Sequence, residues 1–494
     1  MTTKVTINRL ATGVPGLDEV LGGGLPEYSF NLIAGQPGCG KTTLAHQIMF
    51  ALATPERPAL YFTVLGEPAL KMMRYQQQFK FFRNDAINQS VHFINLSEEA
   101  QAGDLDQVLR KIVAAVETHG PGLVFVDSFR SVVLANVNGG SNPHNELQKF
   151  VQELGMLMTT WQATTFLVGE YYSDIDANPV FTVADGLIWL RQSVEGNAMV
   201  RKMEVMKMRG QPTLPGLHPY RMTEAGIEVF APEHLGAAVD PLAGGRLSPR
   251  LSLGVSRLDE MLSGGLPRGH SLLLAGPSGS GKSILATTFL AEGVRRGETG
   301  VLLAIEQRPN PAVNHELIEM VGSGKVVQVE ARRPDLSIEE VLRRLQDEIR
   351  RVKASRVVID SLSGFELAIA PTFRENFRES LLRLVRVLSN EGVTLVMTSE
   401  LEDRYTDLRF SPYGTAFLTD AIIVQRYVEV DSRLRRVIAV AKVRGSAHSD
   451  ELREYTITAD GLQIGHALAN QEGLLSGRPT RKRAGDLSDP PGAD

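Results

Sequence analysis

Two short stretches of this chain have the residue types and spacing to hold a nucleoside triphosphate. Gly35-Gln36-Pro37-Gly38-Cys39-Gly40-Lys41-Thr42 and Gly276-Pro277-Ser278-Gly279-Ser280-Gly281-Lys282-Ser283 both satisfy the pattern G-x-x-x-x-G-K-[ST]. Glycine lets backbone N–H groups turn inward around phosphate oxygens with no Cβ in the way. A helix that begins at such a loop adds its unpaired N–H groups and the positive end of its dipole. In this arrangement Lys41 and Lys282 reach the β- and γ-phosphates, while Thr42 and Ser283 offer a hydroxyl to Mg2+. Thr43 and Ile284 complete the two sets at the start of the helical patterns 43–51 and 284–291. The expectation is ATP and Mg2+ at two sites.

A second metal-holding carboxylate is expected at the end of a neighbouring buried strand. Asp127 closes the run Leu123–Asp127, Asp360 closes Arg356–Asp360, and a serine follows each. An aspartate there can also serve only as a helix N-cap. Hydrolysis needs a further group to orient water or take its proton. Glu306, in Ala304-Ile305-Glu306-Gln307, follows a strand expected beside the second loop. In the first half Glu67 is the only candidate, in a register left open, and either glutamate can be read as a surface-loop carboxylate. Cys39 sits at a helix N-terminus, which can activate a thiol; the preferred reading is a small residue that the loop tolerates.

These residues are carried by a repeat. Gly13-Val14-Pro15-Gly16-Leu17-Asp18-Glu19-Val20-Leu21 returns as Gly254-Val255-Ser256-Arg257-Leu258-Asp259-Glu260-Met261-Leu262, and Gly-Gly-Leu-Pro follows in both. Lys207-Met208-Arg209-Gly210 returns as Lys442-Val443-Arg444-Gly445. Two domains are predicted, 1–240 and 250–476, with a Gly- and Pro-rich linker at 241–249 and a polar, disordered tail at 477–494. In the first half, 29–34, 59–65, 123–127, 164–169 and 186–191 read as strands; in the second, 271–275, 300–305, 356–360, 394–398 and 421–426 match them. Near-continuous apolar runs alternating with helical patterns predict an α/β fold, a mostly parallel twisted sheet with helices on both faces of each half.

Composition sets outer limits. Net charge is −5, and no apolar run is long enough to span a membrane. The start lacks the apolar core of a signal peptide, so the expected location is cytoplasmic. A single cysteine excludes an intramolecular disulfide framework and a cysteine zinc site.

Taken together, the chain to about Arg481 resembles KaiC, the double-domain RecA-like ATPase of the bacterial circadian clock, and its non-clock relatives. The resemblance rests on both P-loops, on Asp-Ser after both strands, and on Asp259-Glu260-Met261-Leu262-Ser263-Gly264-Gly265. It extends to Lys442-Val443-Arg444-Gly445-Ser446-Ala447-His448 and Leu475-Ser476-Gly477-Arg478-Pro479-Thr480-Arg481. It implies tandem RecA-like P-loop domains in a homohexamer of stacked double rings, with ATP between subunits. It also implies that Lys207 and Arg209, and Lys442 and Arg444, reach the nucleotide held by the next subunit. A KaiB-like protein or a histidine kinase is the implied class of signalling partner.

Two departures from the family pattern matter. The family's Ser-Thr phosphoacceptor pair falls on Ala416 and Phe417, which carry no hydroxyl; Ser411, Thr415 and Thr419 lie close by. The Glu-Glu pair of clock members is reduced to Glu67 in the first half, whereas Glu306-Gln307 keeps the leading glutamate in the second. Hydrolysis is therefore expected to be dominated by the second domain, and serine/threonine autokinase activity is left open. A short tail without an amphipathic segment gives no support for a tail-binding activator of the KaiA type. Two rival readings remain. One is a nucleotide-gated scaffold with little turnover. The other is a DNA-directed RecA-like ATPase, which needs a basic phosphate-tracking channel. The basic clusters 343–344, 350–353 and 433–436 are interleaved with acidic or apolar residues, and nucleic acid is not expected as a partner.

Overall fold

The computed structural model describes residues 7–64, 69–101, 105–128, 143–172, 179–195, 198–232, 249–305, 315–331, 335–374, 377–401, 418–430, 432–458, 461–468, 471–472 and 480–481. The chain divides into two compact units, Met1–Pro232 and Glu233–Asp494. Apart from Pro249, the predicted linker lies outside the described residues, as does most of the predicted tail.

The first unit is built on a nine-stranded sheet. Its strands are β1 (Phe30–Gly35), β2 (Ala59–Thr63), β3 (Val91–Asn95), β4 (Leu123–Asp127), β5 (Thr164–Glu170), β6 (Gly186–Glu195), β7 (Ala198–Met208), β8 (Leu217–Thr223) and β9 (Gly226–Val229). Their spatial order is β3-β2-β4-β5-β1-β6-β7-β8-β9. The second unit repeats it with β10 (Ser271–Gly276), β11 (Gly300–Ala304), β12 (Val326–Glu330), β13 (Arg356–Asp360), β14 (Thr394–Glu400), β15 (Ala421–Val430), β16 (Arg433–Val443), β17 (Arg453–Thr458) and β18 (Gly461–Ala467), in the same order. The strands from β3 to β6 in space pair in parallel, and β6 to β9 turn antiparallel. Sequence reading placed β1, β2, β4, β5 and β6 and their counterparts. It did not name β3, β12 or the antiparallel extension.

The parallel strands are apolar because both of their faces are covered. Every residue of β1 and of β10 is buried. In the first unit, α1 (Lys41–Leu52) packs with one core, while α2 (Leu105–His119) and α3 (Pro143–Thr160) help to close another. Their counterparts in the second unit are α4 (Lys282–Arg295), α5 (Ile338–Val352) and α6 (Phe377–Asn390). Helix α5 shows its local logic openly: Ser337 Oγ accepts from the Glu340 backbone N–H at its start, and Lys353 ends it in a left-handed conformation.

The repeated motif ahead of each P-loop proves to be structural. Asp18 Oδ1 accepts from the backbone N–H and the hydroxyl of Thr12, at 2.9 and 2.7 Å. Asp259 accepts from the Leu253 N–H at 2.8 Å and the Ser252 hydroxyl at 2.5 Å. Gly13 and Gly254 have φ of 67° and 85°, and a Cβ there would lie 2.3 Å from Ala51 Cβ and 2.8 Å from Thr288 Cγ2. The motif therefore needs glycine both for its backbone and for its approach to the P-loop helix.

Where α4 meets β13 the halves diverge. Arg356 is completely buried. Its Nε donates to Glu298 Oε2 at 2.5 Å, and its Nη1 donates to the carbonyls of Ser252 and Phe289 at 2.9 Å each. The guanidinium lies 4.6 Å from the centre of the Phe289 ring. Its stem occupies the space that a side chain at Gly293 would need, since a Cβ there would be 2.5 Å from Arg356 Cδ. The matching first-unit residues are Leu52 and Leu123. Replacing a mid-helix glycine by alanine ordinarily stabilises by about 1 kcal/mol. Gly293→Ala should instead destabilise the second unit by about 1–3 kcal/mol through overpacking. The penalty should shrink when Arg356→Leu is present, and a double-mutant cycle in urea unfolding of the full chain checks this coupling.

Candidate nucleotide site

Each P-loop joins the end of a central strand to the start of a helix. Gly38 and Gly40 have φ of 78° and 97°, and Gly279 and Gly281 have φ of 75° and 96°, so the two loops share one backbone course that L side chains rarely adopt. Lys41 Nζ donates to the Gln36 carbonyl at 2.8 Å. Lys282 Nζ donates to those of Gly276 and Pro277, also at 2.8 Å. Burial lowers the Lys282 ammonium below its ordinary pKa, against the pull of Glu400 and Asp360.

In the first unit a cavity of about 330 Å3 is lined by Gly38, Lys41, Thr42, Thr43, Asp127 and Glu170, among others. Thr42 Oγ1 donates to Asp127 Oδ2 at 2.7 Å. Tyr61 Oη donates to the same oxygen at 2.7 Å. Desolvation raises the Asp127 carboxyl above its ordinary value, the Thr42 and Tyr61 hydrogen bonds and the charge of Lys41 oppose this, and Glu170 adds to it. In the second unit a cavity of about 290 Å3 is lined by Gly279, Lys282, Ser283, Ile284, Asp360 and Glu400, among others. There Thr398 Oγ1 donates to Asp360 Oδ1 at 2.5 Å.

The structure thus brings Lys41, Thr42, Thr43 and Asp127 to one cavity, and Lys282, Ser283, Ile284 and Asp360 to the other. The donor set suits a hard divalent cation, which takes one or two protein oxygens together with phosphate oxygens. Among the described residues no three His, Cys, Asp or Glu side chains converge as a metal nest, so an ion here would lean on the phosphates of its nucleotide. Packing also requires glycine in each loop: at Gly40 a Cβ would press to 2.5 Å from Met222 Sδ, and at Gly281 to 2.8 Å from Ile457 Cδ1.

Other predicted residues fall elsewhere. Gly35, Gln36, Pro37, Gly276 and Pro277 form the strand end and the shoulder of each loop. The Cys39 and Ser280 N–H groups donate back to the Gln36 and Pro277 carbonyls. Cys39 is fully buried in the core under the first loop. Burial raises its thiol pKa, with Lys41 opposing. A neutral, enclosed sulfur packs as a small core residue and not as an activated thiol.

Lys207, Arg209, Lys442 and Arg444 stand at the end of the strands opposite their own P-loops. Lys207 Nζ donates to the carbonyls of Phe181 and Thr182 at 3.3 and 3.1 Å. Lys442 Nζ donates to that of Thr419 at 2.7 Å. Arg209 pairs with Asp185 at 3.0 Å and Arg444 with Asp420 at 3.2 Å. Burial and the adjacent arginine lower both lysine pKa values, while Asp185 and Asp420 respectively raise them. Thr419, one of the nearby hydroxyls that could stand in as phosphoacceptor, is fully buried. Glu67, Glu306, Ser411, Thr415, Ala416 and Phe417 lie outside the described residues.

Sequence reading missed four residues of these sites. Glu170 and Glu400 end β5 and β14, in register with Gly35 and Gly276. Their signal was available, because a carboxylate closing an apolar strand is the pattern that singled out Asp127. Tyr61 and Thr398 had none, since each reads as an ordinary strand residue.

The fold and the two sites define a tandem P-loop nucleoside-triphosphatase chain. The family model described as "ATPase: KaiC" matches residues 10–234 and 251–469, and the chain belongs to that family. It is 28% identical to the circadian clock oscillator protein KaiC of Picosynechococcus, over 96% of this chain and 93% of that one. It is equally similar, at 28%, to KaiC 1 of Synechocystis, over 96% and 92% of the two chains. The KaiC protein of Rippkaea orientalis is also 28% identical, over 97% and 93%. No helix among the described residues is long and apolar enough to cross a membrane.

Behind the first site lies His46, on α1, with its ring 4.5 Å from that of Tyr61. Burial pushes its pKa down to about 4 from 6.5, against a Gln76 contact that raises it. The unfolded chain takes up this proton below about pH 6.5, whereas the folded chain refuses it until about pH 4. The stability that depends on neutral His46 is full above pH 6.5 and drains as pH falls toward 4, by up to about 3 kcal/mol. His46→Phe should therefore lose less stability than the parent between about pH 7 and about pH 5, read as a smaller drop in the urea midpoint.

Proposed function

We propose that the chain is a Mg2+-dependent, ATP-hydrolysing switch of the KaiC type, a homohexamer of two stacked rings with ATP between subunits, in which the second ring dominates turnover. The observation that carries it is duplication: each half sets a P-loop lysine and hydroxyl beside a strand-end aspartate in one cavity, with Thr42 Oγ1 2.7 Å from Asp127 Oδ2. The proposed domains are 1–240 and 250–476, joined by 241–249.

In this reading, backbone N–H groups of each loop and Lys41 or Lys282 cradle the phosphates. Thr42 with Asp127, and Ser283 with Asp360, would hold the Mg2+, which would supply positive charge against that developing on the phosphoryl group. Glu306 orients the attacking water in the second ring, and Glu67 is the weaker counterpart in the first. Lys207, Arg209, Lys442 and Arg444 point away from their own loops, which suits cations that stabilise the phosphoryl group on a neighbouring subunit. Ala416 and Phe417 offer no phosphoacceptor and Thr419 is buried, so the state is transmitted by conformation to a signalling partner such as a KaiB-like protein or a histidine kinase. The DNA-directed reading is not favoured: Arg344, Arg350, Arg351 and Arg435 are each paired with a glutamate.

Phosphate release and intact mass after incubation with Mg·ATP test this together. The expected result is measurable release with an unmodified mass. Lys282→Ala should lower the rate about tenfold and Lys41→Ala less than about threefold. Equal residual rates would overturn second-ring dominance, and a stoichiometric phosphate on Ser411, Thr415 or Thr419 would restore an autokinase.

A further inference from the structure

The two sites support their metal-binding aspartates by different means. Tyr61 lies on β2 opposite Phe125 of β4, and Asp127 is two residues further along, opposite Thr63. The tyrosine is completely buried. Its ring is enclosed by His46, Phe93 and Phe125, at 4.5, 5.4 and 5.8 Å between ring centres. The clamped ring delivers its hydroxyl to Asp127 Oδ2 at 2.7 Å, and Thr42 donates to the same oxygen at the same distance.

The equivalent of Tyr61 in the second unit is Leu302, which lines the cavity and reaches no carboxylate. Asp360 takes its donor from Thr398 on β14 instead, at the other carboxylate oxygen. The first-unit counterpart of Thr398 is Val168, since Val168 pairs with Ile33 as Thr398 pairs with Leu274. At these two positions, each half therefore carries one donor and one apolar residue.

An ionised carboxylate only accepts hydrogen bonds, through two oxygens. A rigid donor on one oxygen fixes the plane of the group and leaves the other oxygen to face a metal ion or its water shell. A donor held by packing costs no reordering when the ion arrives. We propose that Tyr61 is a positioning residue that presets Asp127 for the divalent cation of the first nucleotide site, a role Thr398 takes in the second. The proposal rests on the P-loop reading of both sites.

The test is Mn2+ binding to the full-length chain, followed by electron paramagnetic resonance with saturating ATPγS. Tyr61→Phe keeps the ring and removes the donor. It should weaken one class of bound Mn2+ about tenfold, the scale of one hydrogen bond to a charged group, and leave the other class and nucleotide binding in EDTA unchanged. Adding Val168→Thr, which supplies the second site's donor to the first, should recover most of the loss. Unchanged Mn2+ binding in Tyr61→Phe would overturn the proposal. So would an equal loss of nucleotide affinity in EDTA, because Tyr61 would then act through the fold of the loop. A parent chain with no nucleotide-dependent Mn2+ at all would overturn the P-loop reading instead.

Discussion

Each half depends on how the start of its central strand is held. At the start of β1 the Phe30 N–H donates to Asp185 Oδ2 at 3.0 Å, and at the start of β10 the Ser271 N–H donates to Asp420 Oδ2 at 3.0 Å. The same aspartates pair with Arg209 and Arg444. A one-residue slip of a strand would turn its side chains to the opposite face. By fixing the strand's start, the aspartate fixes where the glycine loop emerges five residues later and ties that position to the Lys-x-Arg segment. The loop and the distant cations are thus set by one shared carboxylate, even though they lie at opposite ends of the strand.

This arrangement explains what the repeat retains. The residues common to both halves are those with backbone duties: glycines at positive φ, aspartates that gather N–H groups, and the lysine and hydroxyl that open each helix. Differences collect where a side chain answers only to its immediate neighbours. Leu52 and Leu123 give way to Gly293 and Arg356, and Tyr61 and Val168 to Leu302 and Thr398. In each pair one partner grows as the other shrinks, or a donor moves from one side of the aspartate's strand to the other. Close packing makes such exchanges correlated, because the volume or hydrogen bond removed at one position must be supplied at the other.

Charge follows the same division. Glutamates engage Arg344, Arg350 and Arg351 of α5 and Arg435 of the β15–β16 hairpin, so these four cations build no continuous basic stripe. Around the P-loops the charges are instead partly desolvated, and Lys282 and Asp127 both shift toward their neutral forms. A low-dielectric pocket of this kind strengthens its interaction with a charged ligand, since fewer water dipoles compete.

The sequence by itself determined the duplication, the α/β class, the buried parallel strands and the residues of the two loops. These follow from short-range rules: glycine spacing, apolar runs, and a carboxylate closing a strand. It also indicated that Asp127 and Asp360 belong with those loops, because the pattern implies adjacent strands. Only the tertiary structure decided what surrounds those carboxylates. Tyr61 is 66 residues from Asp127, and Thr398 is 38 from Asp360, so each contact arises from strand order in the sheet. The antiparallel extension from β7 to β9 was hidden for a related reason. Its strands are mixed in polarity, and their place was set by pairing with β6 rather than by any run of their own. Cys39 shows the same limit at one atom: its position in the loop left an activated thiol open beside a small tolerated residue, and the packing beneath the loop made it a buried, neutral one.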